Sequence, residues 1–424
     1  MSFRVDFRLK SYVKTLVACT MLTAGALWFV LLGLHWLPKA VGSVVTVLGA
    51  LFLLGTAVLV FASAVVLVRY KRDGLGKPDL FLELNRSREP AAIKASPVGR
   101  ITRTRRWLAR HLSGHDLVVG DLVEVKTWKQ ISATLDQKGC LDELPFMPEM
   151  LAMCGKRARV FRCAHRLFDY RKTRRMRHMD GTVLLVSTVC DGSNHGGCQA
   201  ACHTIWKSAW LQRVEPREDS AGGPVSSNGS GLVTEVAVPQ FGTQAPRYVC
   251  QLTQLHAASQ PIRKWSVTNF MLPLISGNVA PAAFVVGWLT HIFDQLQHLR
   301  QGVGFPAFEH KPHPGRHEEA LLEPGDQVMV RSSAEIRATL NDKLMHRGLW
   351  FEPDMLKHCG QRFCVDAEIE RIIDIVTGEM LTMKTPAYVL RDVYFSGERQ
   401  LFNAQHDSLF WRAAWLRRAR PVRD

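Results

Sequence analysis

Three of the ten cysteines, Cys190, Cys198 and Cys202, are spaced so that they could do chemistry together. They lie in the run Cys190-Asp191-Gly192-Ser193-Asn194-His195-Gly196-Gly197-Cys198-Gln199-Ala200-Ala201-Cys202-His203. If this run is helical from Cys198, a spacing of four puts Cys198 and Cys202 on one helix face. The glycine-rich turn then returns Cys190 to the helix N-terminus, where backbone N–H groups and the helix dipole would lower thiol pKa and stabilise an anionic centre. Such a centre needs a fourth donor. Cys250, in Tyr248-Val249-Cys250, is the first candidate, followed by His195, His203 and Cys163. The set suits reduced thiols packed in a small core, a structural zinc with four N/S ligands, or an iron–sulfur cluster, which tolerates looser ligand spacing. With thiols that only pack, the chain would be a cofactor-free, membrane-anchored scaffold with two protein-interaction modules; a nucleophilic cysteine with His195 as its base would draw on the same residues. Cys19 sits in an apolar run and reads as packing.

An internal repeat supplies a control for these cysteines. Gly120-Asp121-x-Val123-x-Val125 recurs as Gly325-Asp326-x-Val328-x-Val330, and Trp206-x-x-Ala209-Trp210-Leu211 recurs as Trp411-x-x-Ala414-Trp415-Leu416. Pro148, Met150, Leu151, Cys154 and Gly155 match Pro353, Met355, Leu356, Cys359 and Gly360. One constant offset, that from Gly120 to Gly325, holds throughout without a gap, as expected of a duplication. At that offset Cys190 faces Phe395, Cys198 faces Asn403 and Cys202 faces Asp407, whereas Cys154 is kept as Cys359 and reads as core. The three thiols are therefore an addition to the first copy and not part of its scaffold.

Two resemblances follow from these residues. Cys190-Asp191-Gly192-Ser193 followed by His195 resembles the signature of CDGSH-type iron–sulfur proteins, in which the His lies four residues after the Cys and a Cys-x-Cys pair lies upstream. The stretch from about residue 117 to 417 resembles an uncharacterised bacterial family with paired Gly-Asp-x-Val-x-Val domains and a CDGS-x-HGGCQ-x-x-C segment. That resemblance implies the architecture and a metal centre, and no reaction. The family pattern carries a further Cys where this chain has Phe168.

The elements that must position the thiols can be read coarsely. Asp121–Lys126 alternates and predicts a strand, as do Arg157–Arg162 and Thr182–Val189. Gln130–Asp136 predicts a short helix, the basic run Arg171–His178 a hairpin loop, and Cys198–Arg213 an amphipathic closing helix with Ile205, Trp206, Ala209 and Trp210 inward. Each copy is thus expected to be an SH3-like barrel with a helical appendage. Asp142, Glu143 and Glu149 are expected on a solvated surface, because copy two has Arg347, Gly348 and Asp354 there.

Two charge-free apolar runs, Leu16–Leu37 and Ala40–Val68, are each long enough to cross a hydrocarbon core of about 30 Å. Arg4, Arg8, Lys10 and Lys14 precede the first, Arg69, Lys71 and Arg72 follow the second, and Lys39 stands alone between them. This bias predicts a two-pass hairpin in the inner membrane with both termini cytoplasmic, a compartment that keeps thiols reduced. A third apolar stretch, Met271–Phe293, contains Pro273 and Pro281 and is expected as a buried or interfacial helix.

Lys plus Arg number 54 against 38 Asp plus Glu, a net +16. Much of the excess lies in 69–115, where Arg103, Arg105, Arg106 and Arg110 flank Trp107, so anionic head groups are the expected partner. No nucleic-acid motif accompanies it. No P-loop, GxGxxG after a strand, GxSxG or HExxH is present either.

The expected chain is α+β in class. Residues 1–15 form a cytoplasmic N-terminus, 16–68 the transmembrane hairpin and 69–115 a basic linker. Residues 117–214 form the first, cysteine-rich domain, and 322–418 the second. Between them lie a flexible linker at 215–246 and a segment with an apolar helix at 247–319.

Overall fold

Val123 and Val125 alternate with half-exposed neighbours and are fully buried, which makes Leu122–Val125 a one-sided strand. In the computed structural model this strand, β1, joins β2 (Arg157–Cys163), β3 (Thr182–Val189), β4 (His203–Lys207) and β5 (Leu211–Arg213). All pairings are antiparallel, in the order β4-β3-β2-β1-β5. The structure describes residues 7–35, 39–73, 79–88, 92–93, 103–113, 117–170, 172–214, 247–262, 266–306, 308 and 321–419. The expected flexible linker at 215–246 lies outside them.

Aromatic side chains fill the concave face of this sheet. Phe146 meets Trp210 edge-on at 5.2 Å, and Trp206 and Trp210 are fully buried. The indole N–H of Trp210 donates to Thr134 Oγ1 at 3.1 Å, so no polar atom of that ring is lost to the core. Truncating such a Trp to Ala costs about 3–5 kcal/mol, a large share of the roughly 5–15 kcal/mol that holds a typical domain folded.

A second five-stranded sheet has the same order, β9-β8-β7-β6-β10. Its strands are β6 (Gln327–Val330), β7 (Arg362–Ile373), β8 (Met380–Tyr394), β9 (Ser408–Trp411) and β10 (Leu416–Arg418). Corresponding contacts are separated by the repeat offset. Leu122 pairs with Arg159 and Gln327 with Cys364; Val123 pairs with Arg213 and Val328 with Arg418. Gly120 N donates to Val160 O at 2.9 Å and Gly325 N to Val365 O at 2.8 Å. Both glycines have strongly positive φ, a backbone state that a side chain would strain.

The expected closing helix is absent. Cys198–Cys202 is loop, followed by β4, a short 3-10 turn at Ser208–Trp210, and β5. Gly196, Gly197 and Ala201 have positive φ, which excludes a right-handed helix there. Trp206 and Trp210 share the core because a strand and a tight turn bring them together, and this mimics helical spacing. The expected hairpin loop at Arg171–His178 is partly strand: Met176–His178 pairs with Arg166–Phe168, and Arg171 lies outside the described residues. The short helix is seen at Trp128–Ser132.

The two units bind each other reciprocally. Gln199 N donates to Arg371 O at 2.9 Å, and Ala404 N donates to Arg166 O at 2.8 Å. The repeat offset converts one bond into the other, carrying Gln199 to Ala404 and Arg166 to Arg371. The loop of each unit therefore docks on the other at the equivalent place, on β7 of the second sheet in one case and on the short strand Arg166–Phe168 beside the first sheet in the other. Ile373 N also approaches Cys198 Sγ at 3.4 Å.

Helices flank this pair. α1 (Phe7–His35) and α2 (Lys39–Asp73) pack antiparallel. Tyr12 meets Tyr70 edge-on at 5.7 Å, and a Cβ on Gly49 would sit 2.8 Å from Val30 Cγ2. Among the described residues one stretch, Thr46–Arg72, is long and apolar enough to cross a membrane. The sequence predicts two such spans, and the two-pass arrangement in the inner membrane is not carried by this criterion. The basic linker contributes α3 (Leu80–Asn85) and α4 (Arg103–Ser113). In α4, Arg106 is drawn into a bidentate pair with Asp121, while Trp107 stays exposed. The third apolar stretch is two helices, α5 (Val267–Ile275) and α6 (Pro281–Leu299). Asn278, in the break, clasps both backbone groups of Cys163 at 2.8 Å, and Pro281 restarts the helix at a position where its missing N–H costs nothing.

A buried ion network joins α2 to the second sheet. Arg69 pairs with Asp79, at 2.9 Å, and with Glu398; Lys357 pairs with Glu398 at 2.7 Å and Asp354 at 3.0 Å. Burial alone would raise these three carboxyls, but Arg69 and Lys357 outweigh it and hold all three below the usual carboxylate range. A depressed folded pKa stabilises above the unfolded value, about 4, and that stability is lost as pH falls through the folded value. Replacing Glu398 by Gln removes the carboxylate that bridges the buried Arg69 and Lys357 and should cost about 3–5 kcal/mol. The difference from wild type in chemical unfolding should be constant above about pH 5 and should shrink below about pH 4; a difference independent of pH would count against this account.

Candidate metal centre

The loop between β3 and β4 is built by hydrogen bonds among its own backbone groups. Cys190 N donates to Cys202 O at 2.8 Å and pins the ends together. His195 N and Gly197 N both donate to Gly192 O, at 2.9 and 3.0 Å. Asp191 accepts from Ser193 N at 2.9 Å, an Asx turn that starts the loop. Gly192 has φ +72°, and a Cβ there would collide with the Cys198 carbonyl. Gly196 leaves room for Tyr248, whose hydroxyl a Cβ would strike.

Cys250 reaches the same place from the connecting segment. It precedes a single helical turn, Gln251–Gln254, and the Gln251 side chain fastens that turn to β4. The Gln251 amide donates to Ile205 O at 2.9 Å and Pro145 O at 3.0 Å, and its oxygen accepts from Ile205 N at 2.7 Å.

These residues enclose a cavity of about 50 Å³ lined by Cys190, His195, Cys198, Cys202, Cys250 and Glu149, with Ile373 and Ile375 of the second sheet as its far wall. The four cysteines and His195, singled out by type and spacing, thus meet at one place. His203 also lines the cavity, but burial and Arg162 push its imidazole down to about 4. Cys163 does not belong: its thiol donates to Leu117 O at 3.4 Å in the core. Phe168 packs on Tyr170, with ring centroids 4.7 Å apart, away from the cavity.

Glu149, expected on the surface, is instead a wall of this cavity. Its side chain is 7% exposed, no N–H or O–H group donates to either carboxylate oxygen, and its hydrogen-bonding neighbour is the Cys190 thiol. His195 Nδ1 lies 3.9 Å from it and 3.6 Å from Cys190 Sγ. Among the described residues, Glu149, Cys190 and His195 form the one group of three ligating side chains whose ligand atoms all lie within 4.8 Å. The repeat held the missed signal: Glu149 matches Asp354, another acidic residue, and both sit in a short 3-10 turn just after a proline.

The electrostatics differ from the expectation. No helix begins at Cys198, so no helix dipole lowers these thiols. Burial pushes Cys190, Cys202 and Cys250 up; Glu149 adds to the effect on Cys190, and Asp407 to that on Cys202. No disulfide joins any of the cysteines. Four thiols, an imidazole and a carboxylate without an N–H or hydroxyl partner make a dense set of electron-pair donors with no cation of its own. Such a set fits a bound metal ion or cluster, whose positive charge reverses the cost of ionising buried thiols.

Gly192→Ala should open the loop, because it adds both backbone strain and a collision, at a cost of about 1–3 kcal/mol. Thiol labelling under native conditions should then modify Cys190 and Cys198 at least several-fold faster than in wild type; unchanged labelling would show that the loop does not depend on that glycine. No family model, curated protein or solved structure matches this chain.

Proposed function

We propose that this chain is a membrane-tethered protein whose first sheet unit carries a cysteine-ligated metal centre, an iron–sulfur cluster or zinc, for redox sensing, electron delivery or assembly. The observation that carries the reading is the convergence of Cys190, Cys198, Cys202 and Cys250, from a loop and a distant connecting turn, on one buried cavity. Cys190, Cys198, Cys202 and Cys250 would hold the metal, with His195 beside them. A cluster would supply electron transfer there; zinc would hold the loop in place. The two units are read as duplicated SH3-like barrels, because the last strand of each returns beside the first and their contacts repeat at one offset.

Tethering rests on Thr46–Arg72 and the basic residues near it. In this reading α1 and α2 form a hairpin in the inner membrane, both termini are cytoplasmic, and the exposed Trp107 on α4 rests among anionic head groups. A cysteine nucleophile is the weaker reading. Cys190 and His195 are close, yet burial and Glu149 disfavour the thiolate that such a nucleophile needs.

Elemental analysis of the full chain, purified anaerobically in detergent, tests the proposal. It predicts about one equivalent of zinc, or iron with matching labile sulfide, lost in the double variant Cys198→Ser, Cys202→Ser. Wild type that binds neither metal, or a double variant that keeps its full complement, refutes it.

A further inference from the structure

The second sheet shows what its fold does with a carboxylate at the position of Glu149. Asp354, its counterpart in the repeat, is buried and is neutralised by Lys357 at 3.0 Å, which also pairs with Glu398 at 2.7 Å. Asp354 further accepts from Ser396 N and Ser396 Oγ, both at 2.8 Å. The first sheet keeps the acidic side chain but none of its partners. The residue matching Lys357 is Ala152, and the one matching Ser396 is Asp191, which is engaged with Ser193. Glu149 is left with its side chain buried and no N–H, hydroxyl or lysine partner, only the Cys190 thiol beside it, and His195 Nε2 is likewise buried without a partner. A buried carboxylate without a countercharge is costly. The fold tolerates the equivalent group where a cation stands beside it.

We propose that a metal ion fills the place of that cation: Glu149, Cys190 and His195 jointly ligate a divalent transition ion of zinc type, with a cavity thiol, Cys198, Cys202 or Cys250, available as fourth donor. The inference rests on the metal-centre reading and decides its chemistry. A carboxylate oxygen, an imidazole nitrogen and a thiolate together suit a borderline-soft divalent ion. An all-cysteine iron–sulfur cluster would leave the carboxylate beside an anionic centre. On binding, Cys190 gives up its thiol proton to solvent and Glu149 binds as carboxylate, so one dication meets two anionic ligands and a neutral imidazole.

The test uses the full chain in detergent, loaded with zinc alone or with cobalt(II) alone. Wild type should bind one zinc per chain without labile sulfide, and cobalt should give a thiolate charge-transfer band with tetrahedral ligand-field intensity. Glu149→Gln keeps the shape of the side chain and should weaken zinc binding about tenfold or more in a chelator competition. Ala152→Lys imports the lysine of the second sheet. It should also weaken zinc binding, and it should raise the melting temperature of the chelator-treated protein above that of chelator-treated wild type. The second variant keeps the test decisive if the first folds poorly. Iron with equimolar sulfide, held equally by wild type and Glu149→Gln, would overturn this inference and leave the metal centre standing. A wild type that binds no metal would remove the metal centre itself.

Discussion

Each unit docks on the other through a reciprocal contact, a loop amide given to a strand backbone of the opposite unit, Gln199 to Arg371 and Ala404 to Arg166. Each side thereby supplies one backbone donor and one backbone acceptor to the junction. The contact also shapes the site: it lays Ile373 and Ile375 against the cysteine loop as the far wall of the cavity. Cys202 and Asp407, which occupy equivalent positions of the repeat, face each other across the junction closely enough for the Asp407 charge to raise the Cys202 thiol. The cavity thus belongs to the pair of sheets, although all its candidate ligands come from the first sheet and the segment that follows it.

The same backbone frame carries two electrostatic solutions. In the second sheet, Lys357 sits among Asp354 and Glu398, and Arg69 extends the network to α2 and Asp79. On that side every buried carboxylate has a cation beside it, and the network ties the second sheet to the apolar helix. In the first sheet the lysine is alanine, the phenylalanine and aspartate at 395 and 407 are cysteines, and the carboxylate at 149 remains. One copy holds its own cation; the other is arranged to receive one.

Much of this is legible in the sequence because it depends on period and offset. The alternation of Val123 and Val125 marks β1, and the constant offset of the repeat marks the matching registers. Cys190, Cys198, Cys202, His195 and Cys250 stand out by residue type and spacing alone. What misleads depends on tertiary context. Trp206 and Trp210 are spaced as on a helix but sit on a strand and the turn after it, and only the positive φ of Gly196, Gly197 and Ala201 reveals the difference. Glu149 reads as solvated because the acidic cluster it belongs to, with Asp142 and Glu143, is not kept in the second copy, where Arg347, Gly348 and Asp354 stand; as a wall of the cavity it is instead shielded. Met271–Phe293 reads as one apolar run, yet Asn278 breaks it to bind Cys163, a residue far away in the chain.

Central to this account is a metal ion proposed to bind among these side chains. X-ray absorption at the zinc edge of the full-length protein loaded with zinc would report the nearest atoms directly. Sulfur scatterers at about 2.3 Å together with nitrogen or oxygen at about 2.0–2.1 Å, the light shell shrinking in Glu149→Gln, is the predicted result. A shell of nitrogen and oxygen alone, unaffected by changing Cys190 or Cys202 to Ser, would contradict it.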